Sequence, residues 1–204
     1  MGFSIQMTTR DSLWIRGRRA ASRFAARRAA RLEIRRPAAA ERWLRLACRL
    51  APRFDFVHRD LYAHFRRLND RLGALAAARD ALRRFDRSAE AWMLQGEAYL
   101  GAFRPRDALA SYEQALVIEE RADAAMAAGE LYQREGDYVN AGARFARAYA
   151  AGAGPRALQA NAVALAAAGD AAAAAEARTL WERMTGKTWS AEMDDGGKEA
   201  RSKM

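Results

Sequence analysis

The chain has 204 residues, 51% of them hydrophobic, and a formal net charge of +10. That apolar content allows one sizeable core or one continuous repeat array. A single cysteine, Cys48, excludes an internal disulfide, and no run approaches the roughly 18 apolar residues of a membrane-spanning helix.

The charge is unevenly placed. Residues 1–54 hold 14 arginines against 3 acids, Asp11, Glu33 and Glu41. The remainder holds 21 bases against 22 acids, so it is electrically balanced. Only Lys187, Lys198 and Lys203 are lysines. Together with heavy alanine use, this points to a GC-rich bacterial genome and discounts arginine identity as a signal. It does not discount the clustering. The stretch "MGFSIQMTTRDSLWIRGRR" lacks the apolar core of a secretory signal, and Met7 stands where a myristoylation signal needs Ser or Thr. The expected location is cytoplasmic.

In chain order, residues 1–11 read as a flexible N-terminus and 12–36 as a basic helix. Asp11 or Ser12 can cap a helix starting near Leu13. Pro37 stops it at about Arg35, because the residue before proline avoids helical geometry. Within it, Arg19, Arg23, Arg27, Arg31 and Arg35 step by four and form a stripe widened by Arg28. Ala21, Phe24, Ala25 and Leu32 form a thin apolar stripe beside it. Like charges four apart repel by a few tenths of a kcal/mol. A bound anion would relieve that, as Glu33 does once. An acidic protein surface, RNA and an anionic lipid surface are the three candidate receivers. The aromatic and apolar residues available for stacking bases or entering a bilayer are sparse.

A repeat follows. Gly96, Tyr99, Ala108, Tyr112 and Ala115 correspond to Gly129, Tyr132, Ala141, Phe145 and Ala148, each pair 33 residues apart. Gly96 to Tyr99 is one helical turn. Ala108, Tyr112 and Ala115 step by four and three along one face of a second helix. A small residue lets two helices approach, and the aromatic fills the wedge beside it. In "EGDY" the glycine can end one helix and Asp137 can cap the next. Each unit is a helical hairpin that must stack on neighbours to bury its apolar face.

These residues resemble the tetratricopeptide repeat (TPR) pattern of Trp, Leu, Gly and Tyr in a first helix and Ala, aromatic and Ala in a second. Trp92 fits it, while Gln95, Glu120 and Ala125 depart from it. Stepping upstream finds Leu61, Tyr62, Phe65, Ala74, Ala78 and Ala81, with the turn "LNDR". A further step finds Ala40, Leu44, Ala47 and Pro52. Downstream are Leu158, Ala162, Leu165 and the Gly169-Asp170 turn, with Arg178 where an aromatic is expected.

The resemblance implies an all-α, right-handed superhelix of antiparallel helix pairs, a TPR-like α-solenoid over 37–188. Its units lie near 55–88, 89–121, 122–154 and 155–188. A tail at 189–204, almost without apolar residues, is expected to be disordered.

The resemblance also implies a partner groove lined by the first helices. Arg59, Arg66 and Arg67 would line its first unit, Met93 and Glu97 the next, then Met126, Glu130 and Gln133. It would be basic at one end, then acidic. Ala63, Glu97, Glu130 and Val163 stand at the positions where some family members use asparagine to clamp a carboxylate, so that clamp is not expected.

His58 and His64 lack metal-ligand spacing, and Cys48 lies on an apolar helix face. No phosphate loop, nucleophile elbow or HExxH motif is present. No catalytic residue, metal or cofactor is expected. The combined reading is a non-enzymatic adaptor or scaffold, a subunit of a larger assembly. Its groove would take a partner's peptide or helix, and Arg19, Arg23, Arg27, Arg28 and Arg31 would dock on an acidic surface. The alternative is a nucleic-acid- or membrane-associated protein led by the arginine-rich helix.

Overall fold

The computed structural model describes residues 9–51, 56–190 and 193, with side chains from Arg16 onward. Among them the chain is all-α. The elements are α1 (Thr9–Leu32), α2 (Pro37–Leu50), α3 (Phe56–Arg67), α4 (Arg71–Arg84), α5 (Ala89–Gly101), α6 (Pro105–Ile118), α7 (Ala122–Glu135), α8 (Tyr138–Ala150), α9 (Pro155–Ala168) and α10 (Ala171–Thr185). The chain divides into two compact units, Met1–Arg104 and Pro105–Met204.

In the first unit, α1 pairs with α2, α3 with α4, and α4 with α5. The helix expected near Leu13 begins at Thr9, so Asp11 and Ser12 lie inside it rather than at its cap. It ends at Leu32, and Pro37 opens α2 instead, where proline's missing N–H costs nothing.

The seam of α1 is not the expected apolar stripe. Ala21 is exposed and Phe24 is 63% exposed. Ser22, Ala25, Ala26 and Ala29 are buried instead, and Ala25 and Ala26 join Ala47, Ala51 and Val57 in one cluster. Alanines let α1 and α2 approach closely. The Ser22 hydroxyl satisfies itself by donating to the Ala47 carbonyl at 2.9 Å. Phe24 moves to the flank and meets Trp43 edge-on at 6.3 Å.

The last turn of α2 leaves carbonyls that need partners. Arg18 donates to Leu50 and Arg49, and Arg84 donates to Cys48 and Ala51. Two arginines thus act as a C-terminal cap, which also suits the helix dipole.

The second unit pairs α6 with α7, α7 with α8, α8 with α9 and α9 with α10. The 33-residue echo is a packing echo. Ala108, Tyr112, Ala115, Ala141, Phe145 and Ala148 are all buried. Position 129 has room only for glycine, because a Cβ there would come within 2.6 Å of the Phe145 ring. The turn chemistry follows the expectation: Gly136 ends α7 at φ 81, and the Asp137 carboxylate accepts from Asn140 N–H at the start of α8. Asp70 and Asp170 cap α4 and α10 in the same way.

Trp189, the first residue of the expected tail, packs against α10. Its ring meets Trp181 edge-on at 5.4 Å, Arg178 lies over it, and its backbone N–H donates to Glu182. Arg178 thus replaces the missing aromatic by stacking under one supplied from beyond α10. The rest of the tail, apart from Ser190 and Met193, lies outside the described residues, as do residues 1–8 of the N-terminal segment and Pro52.

Candidate functional site

The residues expected to line a groove lie on α3, α5 and α7. In the first unit, Arg59 on α3 pairs with Glu97 on α5, Nη1 to Oε1 at 3.1 Å. In the second, Arg156 on α9 pairs with Glu130 on α7 at 3.1 Å. The expected sequence of a basic and then an acidic groove is therefore softened in both units, because opposite charges from successive first helices neutralise each other.

Between α7 and α9 lies an open cavity of about 430 Å³, lined by Asp123, Met126, Glu130 and Arg156 among small residues. Alanines at positions 122, 127 and 153 leave that space. Arg121 forks onto the Asp123 carboxylate and, by that hydrogen bond, holds it below its usual range. Met126, which lines it, and Gln133, one turn beyond Glu130, are half-buried.

Three groove expectations change. Met93 is 4% exposed, so it is a core residue, although Met126 at the matching register is only half-buried. Arg67 turns to the end of α1 and pairs with Glu33. Arg66 turns to the α3–α4 corner, its guanidinium 5.8 Å from the Tyr62 ring centre.

Glu33 is the one acid of the arginine-rich stretch, and α1 does not use it. It accepts from Arg67 and lies 3.2 Å from Nδ1 of the buried His64. Burial works against its charge, but Arg67 and His64 prevail and hold its carboxyl below the usual value of 4.5. A depressed carboxylate stabilises the fold above its unfolded value and loses that contribution as pH falls through the folded one. Glu33→Gln is expected to lower stability near neutral pH by under about 1 kcal/mol, since the pair is partly solvated. The gap to wild type should close in acid, below the usual carboxyl value of 4.5. Urea melts at the two pH values check this. A gap unchanged in acid would mean that Glu33 contributes packing rather than charge.

The expected docking arginines divide cleanly. Arg23, Arg27, Arg28 and Arg31 are exposed, and Arg19 is half-buried. On a helix of 3.6 residues per turn, Arg23, Arg27 and Arg31 point away from the Ser22–Ala25–Ala29 seam. None of these five makes an ion pair among the described residues. Their neighbours on the outer face, Ala20 and Ala30, are small and exposed. The outer face of α1 is a row of uncompensated positive charge.

The candidate chemical groups serve the structure. Burial, with a contribution from Asp60, pushes the Cys48 thiol up to about 12, and the thiol donates to the Val57 carbonyl at 3.3 Å. It is a thiol, not a thiolate nucleophile. His58 packs edge-on against Phe85 at 5.1 Å. No group of three or more metal-ligating side chains forms among the described residues. None of the described helices is long and apolar enough to cross a membrane.

No family model and no curated protein matches the sequence. Solved structures do match the fold. The crystal structure of the protein MamA superposes with a TM-score of 0.63 at 15% identity, over 86% of this chain and 94% of that one. TTC0263, a thermophilic TPR protein of Thermus thermophilus, gives 0.56 at 19% identity, over 89% of this chain and all of the other. YrrB, described as a TPR protein with an unusual peptide-binding site, gives 0.59 at 15% identity, over 87% and 90% of the two chains. The likeness carried by Trp92, Gly96, Gly129 and Phe145 in sequence thus extends to the all-α fold.

Proposed function

We propose, from the premise that the chain has the fold of tetratricopeptide repeat proteins, that it is a non-catalytic cytoplasmic adaptor within a larger assembly. The first-helix face takes a peptide or helix of a partner protein, and the outer face of α1 docks on an acidic protein surface. The observation that carries this is the row Arg23, Arg27 and Arg31. These side chains are solvent-exposed, unmatched by any described acid, and mounted on a helix whose other face is fixed in the core. The open cavity at Met126 and Glu130 supports a partner at the first-helix face, with methionine as an adaptable contact. The peptide-binding site ascribed to YrrB is consistent with that use of the fold.

The test compares the tagged full chain with two variants in affinity purification from a native-like lysate. Arg23→Gln, Arg27→Gln and Arg31→Gln together should leave the melting temperature unchanged and release a salt-sensitive acidic partner. Met126→Ala with Glu130→Ala should release the groove partner. Binding of the purified chain to RNA or to anionic vesicles is then titrated against salt. Tight binding to either that the triple arginine variant abolishes would replace the acidic-protein reading with a nucleic-acid or membrane one.

A further inference from the structure

A second basic feature lies away from α1, at the corner where α3 turns into α4 beside the end of α5. Here a cavity of about 200 Å³ is lined by Tyr62, Arg66, Asn69 and Arg71, with Ala74, Ala98 and Gly101 leaving the space. It is too small for a cofactor-sized ligand, whose sites run to roughly 300–1,000 Å³. It has room for one side-chain-sized group.

Its two guanidiniums are held in place by rings. Arg66 lies 5.8 Å from the Tyr62 ring centre, and Arg71 lies 4.4 Å over the Phe103 ring. Neither pairs with an acid among the described residues. The nearby acids are committed elsewhere. Asp70 accepts from the Gly73 N–H as the cap of α4, and Glu97 is held by Arg59. Stacking fixes two forked donors without neutralising them, which is the arrangement that bidentate recognition of a carboxylate uses.

The backbone adds a second observation. Only Asn69 and Phe103 among the described non-glycine residues have positive φ, 55 and 57 degrees. Asparagine tolerates this geometry. Phenylalanine does so at a cost, and the matching position in the α7–α8 corner is Gly136. Phe103 receives no burial in return, since it is 74% exposed. Leu68 and Leu72, which flank Asn69 and Arg71 in sequence, are exposed as well. A bulky aromatic kept in a strained and solvated position is a hallmark of a surface used in contact.

We propose that this corner is a peptide-binding site. Arg66 and Arg71 take one carboxylate of a partner peptide, and Phe103, Leu68 and Leu72 meet an adjoining apolar residue. The carboxylate comes from a glutamate or aspartate side chain or from a chain terminus. The site uses the ends of α3 and α5 and the start of α4, and shares no residue with the cavity at Met126 and Glu130.

The test titrates the isotope-labelled full chain with three tripeptides and follows the side-chain Nε–H resonances of Arg66 and Arg71. The probes are acetyl-Leu-Glu-Leu-amide, acetyl-Leu-Gln-Leu-amide and acetyl-Leu-Gln-Leu with a free terminal carboxylate. Saturable shifts are expected with the first or third probe and not with the neutral second. The responding probe identifies the source of the carboxylate. Arg71→Gln should weaken binding roughly tenfold, the loss expected for a charge-assisted fork. Phe103→Gly should weaken binding while leaving the melting temperature unchanged or higher, a combination that a purely structural role would not produce. Met126→Ala with Glu130→Ala should leave it intact, so this site and the groove can fail separately. The proposal is overturned by an equal response to the neutral probe. It is also overturned by binding that survives both Arg66→Gln and Arg71→Gln, or by inorganic phosphate displacing the peptide at equal concentration.

Discussion

Replacing Phe145 with alanine is expected to remove about 3–5 kcal/mol of stability, the range for a fully buried aromatic. The ring is 0% exposed and closes against Ala141 and Ala164, with Met126, Tyr132 and Ala160 around it. Met126 can relax into part of the void, which favours the lower end of the range. The converse change is more discriminating. Gly129→Ala adds a helix-favouring methyl worth up to about 1 kcal/mol. That methyl would sit within 2.6 Å of the Phe145 ring. A ring buried on every side cannot swing away, so overpacking at about 1–3 kcal/mol should win and the variant should be destabilised. Adding Phe145→Leu gives the methyl room. The double variant should then lose less than the two single changes summed, a coupling that additive sites do not show. Denaturation followed by tryptophan fluorescence measures each variant. A Gly129→Ala variant more stable than wild type would show that α7 and α8 are not in close contact there.

That pair also shows why much of the fold could be read from the sequence. Small and aromatic residues at helical spacing are a packing instruction, and they recur because the same wedge recurs. Gly136-Asp137 and Gly169-Asp170 could be read because terminating and capping a helix are local chemistry. Partner choice across the fold is not local. Arg59 and Glu97 are 38 residues apart, and nothing near either one announces the pair. Met93 and Met126 share a register, yet one is buried and the other only half-buried. Register sets where a side chain starts, while the bulk of neighbouring helices sets whether water reaches it. Arg66 was expected in the groove by register, but its guanidinium lies at the corner beside the Tyr62 ring. Glu33 looked like relief for the basic stripe, but Arg67 and His64 claim it.

The largest surprise was the seam of α1, and it carries the second large prediction. A search for apolar residues selects Phe24, whereas the helix is seated on Ser22, Ala25 and Ala29. Ala25 is 1% exposed. Ala25→Asp would bury a carboxylate with no cation provided for it, and a loss above about 3 kcal/mol is expected. Arg23→Asp, two residues earlier on the outer face, should stay within about 0.5 kcal/mol of wild type. It should even relieve repulsion with Arg19 and Arg27, four residues away on either side. The contrast separates two pictures of the helix. If α1 were an arm attached to an independent repeat array, Ala25→Asp would release α1 and leave α2 and α3 protected from hydrogen exchange. In the structure, Ala25 shares its cluster with Ala47, Ala51 and Val57, and Arg18 caps the last turn of α2. Protection should therefore fall in α2 and at the start of α3 together with α1. On the proposed docking, Arg23→Asp should cost partner binding and no protection, whereas Ala25→Asp should cost both. The proposed docking of the outer arginines thus depends on the alanine seam that holds them on a fixed surface.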